Sequence, residues 1–265
     1  MSVIVLASAS GAPGVTSAAL ATTNRWRRTA VLVEADTSVT SSVLAGYFRG
    51  SRYHTSGLTN LLALDASRQL TPTTALGQCL PLGTDGHSVI PGFASLEAGA
   101  SSRSFWPSLA DTLRGLSHLE HDVLIDAGRW RTIDERTPLL EAADLVLLTC
   151  RPQLPEILAA RETAARIRSH VDTNALQALQ LVTINDERSD RYSAGEIAQV
   201  VGSPVLAELA HDSKSAHVYS HGSDAPQRME RRPYARSIQS LIANLEAALA
   251  KRSDVLTSIR PTDGA

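Results

Sequence analysis

Lysine is almost missing. Of 25 basic residues only Lys214 and Lys251 are lysines, and the first 213 residues contain none. Any site in that stretch whose chemistry calls for an amine must do without one. Cysteine is scarce as well. Cys79 and Cys150 stand apart with no C-x-x-C spacing, which argues against a disulfide scaffold or a thiolate zinc site. Such cysteine usage fits a reducing compartment, so a cytoplasmic address is expected. No apolar run is long enough to cross a bilayer, and no basic stretch followed by a hydrophobic one opens the chain. The net charge of −2 excludes the overall basicity of a polyanion binder. The eight histidines are not expected to form a zinc site of the H-x-x-x-H or H-E-x-x-H kind. G-x-G-x-x-G and G-x-S-x-G are absent, which argues against a dinucleotide oxidoreductase and a serine hydrolase.

What is present reads as a large α/β unit. The chain has 265 residues, 43% of them hydrophobic, enough to bury a substantial core. Val3–Ala7 is a continuous apolar run, the pattern of a strand buried on both faces of a parallel sheet. A loop of small residues follows, then a helical stretch over Val15–Trp26 and a second strand, Ala30–Glu34. Further strands are expected near Ser88–Ile90 and over Asp122–Asp126, Asp144–Cys150, Leu179–Ile184 and Val205–Leu209. Helices are expected over Gly57–Leu64, Phe105–Leu116, Leu154–His170, Ser193–Val201 and Tyr234–Arg252. The alternation predicts a doubly wound, mostly parallel β-sheet of about seven strands with helices on both faces. One domain over 1–252 and a flexible tail over 253–265 are expected. Ile238, Leu241, Ile242, Leu245 and Leu249 make an apolar stripe at helical spacing, which fits core packing.

The loop after the first strand is where such sheets bind phosphates, because backbone N–H groups and a helix N-terminus converge there. Against G-x-x-x-x-G-K-[ST], the frame Ala9–Thr16 keeps Gly14 and Thr16 but puts Val15 at the lysine position. Asp36 and Asp126 end their strands, where α/β sheets place site residues. The plainer readings are a tight turn that binds nothing, Asp36 as the cap of a helix starting near Ser38, Asp126 bonded structurally to Thr16, and Asn185 as a turn residue.

Ser10-Gly11-Ala12-Pro13-Gly14-Val15-Thr16-Ser17 lies along the last eight positions of the G-K-G-G-x-G-K-T-T signature, and here the sequence resembles the ParA/MinD P-loop ATPases. Val31–Asp36 is similar to that family's strand ending in D-x-D, with Glu34 and Asp36 at the acidic positions. Gly57–Leu62 and Val89–Gly92 resemble further family segments; His121–Gly128 resembles the Walker B strand and Val182–Asn185 the segment whose asparagine contacts adenine. The resemblance implies a P-loop fold over residues 2–250. It also implies ATP or ADP held by residues 10–17 and Asn185, magnesium on Thr16 and Asp126, and Asp36 as the residual catalytic group.

The departures decide the expected function. Active relatives use two lysines in this loop, and here Ser10 and Val15 replace them, with no arginine between Ser2 and Asn24 to substitute. Pro13 removes one backbone N–H. Loss of a charge that neutralises the transition state costs on the order of 10³ in rate or more. The sequence is therefore expected to be a degenerate, TadZ/CpaE-like pseudo-ATPase scaffold that marks a site and recruits a partner, such as a pilus or secretion assembly ATPase or a polar or division factor. Such relatives usually carry a receiver-like domain ahead of the first strand, whereas this chain is expected to be a short form without it. The alternative is a working ATPase of chromosome or plasmid partition or of division-site placement. A homodimer through the loop edge is expected on either reading. Arg228, Arg231, Arg232 and Arg236 form a small basic cluster suited to a protein partner or, less well, to non-specific DNA. Val255–Pro261 lacks the moment of an interfacial helix, so no direct membrane insertion is expected. Arg129-Trp130-Arg131 reads as a remodelled switch, a partner contact or a buried tryptophan.

Overall fold

The computed structural model describes residues 1–10, 14–53, 55–83, 85–130, 134–170, 179–185 and 192–259. One sheet organises them. Its strands are β1 (Val3–Ser8), β2 (Ala30–Glu34), β3 (Leu80–Leu82), β4 (His87–Ile90), β5 (Asp122–Arg129), β6 (Leu145–Cys150), β7 (Leu179–Asn185) and β8 (Val205–Ala210). They lie in the order β3-β4-β2-β5-β1-β6-β7-β8, all parallel except the β3–β4 pair. The sheet has eight strands rather than about seven. The extra one, Leu80-Pro81-Leu82, is a three-residue antiparallel edge strand carrying a proline, which suits an edge and leaves no alternation to read.

The alternation of β1 divides the core. Val3, Val5 and Ala7 face one side of the sheet, and Ile4 and Leu6 face the other. On the first side lie α2 (Leu58–Ala66), α3 (Pro72–Leu76), α5 (Phe105–Leu116), α6 (Thr137–Ala142), α7 (Leu154–Arg168) and α8 (Ala194–Val201). On the second lie α1 (Val15–Thr23), a π-helical turn over Val43–Tyr47, α9 (Ser213–Ser220) and α10 (Pro233–Ile259). The short helix α4 (Leu96–Ala100) follows β4. Ile238, Leu241, Ile242 and Leu245 are buried against the sheet, each such side chain contributing roughly 1.5–3 kcal/mol.

The last helix runs past the expected boundary at residue 252, to Ile259. Residues 253–259 contain no glycine or proline, and the first breaker is Pro261, so a polar composition alone does not stop the helix. Residues 260–265 of the expected tail lie outside the described residues.

Candidate functional site

β1 sits between β5 and β6, so the connections leaving it and its neighbours diverge at its C-terminal end. That switch point is the crevice where open α/β sheets bind ligands. Gly14 delivers the chain into α1 with φ +95°, a left-handed conformation that glycine adopts without a side-chain penalty. Among the described residues no side chain caps α1, and no acidic residue stands in its first turn.

Parallel register brings acidic groups to this crevice. Asp126 on β5 pairs with Leu6 of β1 on one side and Glu34 of β2 on the other. Asp126 is fully buried, and its Oδ1 accepts the Gly128 N–H at 3.0 Å. Its Oδ2 is buried with no well-aligned hydrogen-bond partner, although the Thr16 hydroxyl is close enough to favour the ionised form. Burial pushes the Asp126 carboxyl up to about 7; Glu34 and Asp36 push the same way, against Thr16 and the Gly128 N–H. Asp36 packs against Gly128, where a Cβ would lie 2.0 Å from Asp36 Oδ2. Gly128 also has φ +56°, so this contact between two strand ends needs glycine.

The folded protein thus holds a proton on Asp126 that the unfolded chain gives up near pH 4. Stability should fall as pH rises from about 4 to about 7, because the native state binds more protons across that window. Asp126→Asn is expected to be more stable than the parent by on the order of 2–4 kcal/mol at pH 8 and nearly equal at pH 4. Urea unfolding at the two pH values checks it.

No family model matches the chain, and no curated protein does. Solved structures do. A ParA family ATPase from Chlorobium tepidum TLS superposes with a TM-score of 0.73 at 14% identity, over 91% of this chain and 98% of its own. MinD of Pyrococcus horikoshii OT3, the septum site-determining protein in complex with Mg-ADP, gives 0.70 at 14% identity, over 95% and 98%. The MinC:MinD cell division protein complex of Aquifex aeolicus gives 0.72 at 12% identity, over 93% and 96%. This chain has the ParA/MinD P-loop ATPase fold.

Within that fold, most of the expected site residues can be placed. Val15, at the in-loop lysine position, is 5% exposed and packs in the core with Ile4, Leu6 and Ala19. Ser10, at the signature lysine position, donates its hydroxyl to Glu156 in the first turn of α7. A carboxylate therefore faces the loop at the signature lysine position. Thr16 and Ser17 are half-buried in the first turn of α1. Gly11, Ala12 and Pro13 lie outside the described residues. An unpartnered carboxylate oxygen beside a hydroxyl fits magnesium, a hard cation that takes few protein oxygens and keeps its waters. The lining fits a triphosphate less well, since neither the described loop nor the first turn of α1 carries a basic side chain. Among the described residues, exposed cations at this edge include Arg129, ending β5, and Arg151, just after β6.

The second acidic residue of the D-x-D-like strand is placed differently from the first. Asp36 accepts from the Ser38 N–H at 2.8 Å and the Ser38 hydroxyl at 2.6 Å, closing a turn of its own. No helix starts at Ser38, which corrects the capping alternative; helical backbone begins only at Ser42. The capping carboxylate is Glu34. It accepts from Ser42 N at 2.6 Å, Ser42 Oγ at 2.8 Å, Val43 N at 3.1 Å and Gly92 N at 2.9 Å, and from the Ser41 hydroxyl. In the sequence Glu34 stands only at a motif position. The run Ser41-Ser42 seven residues on was the available signal for this role.

Asn185 ends β7 and donates Nδ2 to Glu208 Oε2 at 2.9 Å, so its amide already has a partner. The arginine cluster is smaller than expected. Arg232 forms a two-point ion pair with Asp212 at 2.7 Å on both arms and also reaches Ser215; this holds the Asp212 carboxyl well below the usual range. Arg228, Arg231 and Arg236 remain exposed. Trp130 is buried at 5% exposure, as the buried-tryptophan reading expects.

Two features went unread in the sequence. Arg136 is 2% exposed, pairs with Asp134 at 2.6 Å and lies 5.0 Å from the Trp130 ring centroid. It also donates to the carbonyls of Ala35, Ala127 and Arg129, tying the ends of β2 and β5 together. The second is a correction: His217 and His221 do have H-x-x-x-H spacing, and both are exposed on α9 or at its end.

Proposed function

We propose that this chain is a ParA/MinD-like spatial organiser that acts by binding rather than by turnover. It recruits a protein partner, such as a pilus or secretion assembly ATPase or a polar or division factor, with little or no ATP hydrolysis. One observation carries the reading: both lysine positions of the loop are spent on structure, Val15 in the core and Ser10 on Glu156. The backbone donors at Gly14 and the α1 N-terminus still let MgATP or MgADP dock, with Thr16 and Asp126 toward magnesium and Asn185 toward the base. Magnesium, when bound, supplies charge neutralisation to the phosphates; Asp36 is the residual group able to orient water. The Aquifex protein of the same fold is seen with a protein partner, MinC, which supports partner binding as the output. The loop edge serves a homodimer, and Arg228, Arg231 and Arg236 serve the partner rather than DNA. No helix among the described residues is long and apolar enough to cross a membrane.

The test is phosphate release from MgATP by purified protein, with gel filtration in the presence and absence of ATP. Release at background, at least about 10³-fold below a lysine-bearing relative, is expected. Brisk turnover abolished by Asp36→Ala overturns the reading. A second reading, a working partition or division ATPase, is favoured by Arg129 and Arg151 at the ends of the two strands flanking β1. Under it, turnover is present and is lost in Arg151→Ala or Arg129→Ala.

A further inference from the structure

We infer that His217 and His221 form a chelating site for a divalent transition ion of the zinc, nickel and copper class. Residues four apart on a helix lie one above the other on the same face. Here the His221 N–H donates to the His217 carbonyl at 2.9 Å, closing the last turn of α9, with His221 as its C-cap at φ −132°. The two imidazole centroids are 4.6 Å apart with the planes at 53°. Both side chains are exposed, so an ion can reach them without any rearrangement of the core.

The second layer of contacts is in place. The Ser220 hydroxyl lies 2.7 Å from His221 Nδ1, which fixes that ring and leaves Nε2 as the ligating atom. A hydrogen bond on the non-ligating nitrogen is the usual way a metal-binding histidine is oriented. The helix end beneath is rigid. Gly46 runs so close that a Cβ there would lie 2.2 Å from the Ser220 carbonyl, and Gly222 packs in the same way on the Tyr47 carbonyl. The ligands therefore stand on a braced turn rather than on a loose loop.

The donor type sets the ion. Neutral imidazole nitrogens bind zinc at about 2.0–2.1 Å and suit copper and nickel equally, whereas magnesium and calcium prefer oxygen. Among the described residues, no group of three or more histidine, cysteine, aspartate or glutamate side chains is placed to hold a metal. The site is thus a two-ligand clamp whose remaining positions go to water or to a donor from another molecule. It is separate from the β1–α1 crevice and does not depend on the reading given for that crevice.

The experiment is calorimetric titration of the full chain, without a histidine tag, with zinc chloride, nickel chloride and magnesium chloride. One equivalent of zinc or nickel is expected to bind, and magnesium is expected to leave that binding unchanged. His217→Ala and His221→Ala should each weaken zinc at least tenfold, and His118→Ala, another exposed histidine, should not. Far-UV circular dichroism and the thermal midpoint without metal should match the parent in all three variants. No binding by the parent, or equal affinity in the His217→Ala/His221→Ala double variant, overturns the inference.

Discussion

Ser10→Lys combined with Val15→Lys is expected to raise MgATP affinity by at least about two orders of magnitude. Each charge-assisted hydrogen bond to a phosphate contributes about 1.5–3 kcal/mol, roughly tenfold or more in the dissociation constant. Glu156→Gln alone should give a smaller gain in the same direction, because it removes a carboxylate that faces the loop through Ser10. Val15 is 5% exposed, so a lysine there must carry its charge out of an apolar setting when no phosphate is present. The Val15→Lys variant should therefore lose thermal stability without ligand and recover it as MgATP is added, a mass-action shift larger than the parent's. A titration by fluorescent nucleotide displacement and a set of melting curves read both effects. If the double variant binds MgATP no better than the parent, missing positive charge is not what limits this crevice.

The fold was largely legible because its signals are periodic. Continuous apolar runs such as Val3–Ala7 and Ala30–Glu34 can be buried on both faces only in a parallel sheet, and helices between them follow from chain connection. What escaped was short or non-periodic. β3 has three residues, and the turn at Val43–Tyr47 is held by a carboxylate seven residues upstream from its capping serines rather than by its own pattern. The crevice was legible in position and only partly in use. Motif alignment put Glu34 and Asp36 at the two acidic positions and implied a role for Asp36 alone; the structure spends Glu34 on backbone N–H groups and leaves Asp36 in the crevice against Gly128. Pairings across long separations, such as Ser10 with Glu156 or Arg232 with Asp212, leave no trace in local sequence. The arginine count was visible, but nothing in a linear reading distinguishes Arg136, sealed in the core, from Arg129 on the surface.

Arg136→Met is expected to cost about 3–5 kcal/mol of folding free energy, the usual penalty for removing one partner of a buried ion pair. The side chains of Arg136 and Asp134 are 2% and 4% exposed, so the carboxylate loses its charge partner where little water can replace it. The carbonyls of Ala35, Ala127 and Arg129 lose a donor in the same step. For a chain of this size that loss lowers the melting temperature by roughly 10 °C. Arg136→Lys should recover little of it, since a single ammonium cannot replace a planar fork that reaches Asp134 and three carbonyls at once. Arg103→Ala is the control: its pair with Glu135 is exposed, and its loss should change stability by less than about 1 kcal/mol. The clamp ties the end of β2 to the end of β5 beside a buried tryptophan. If Arg136→Met unfolds with the parent's midpoint, the stability argument fails.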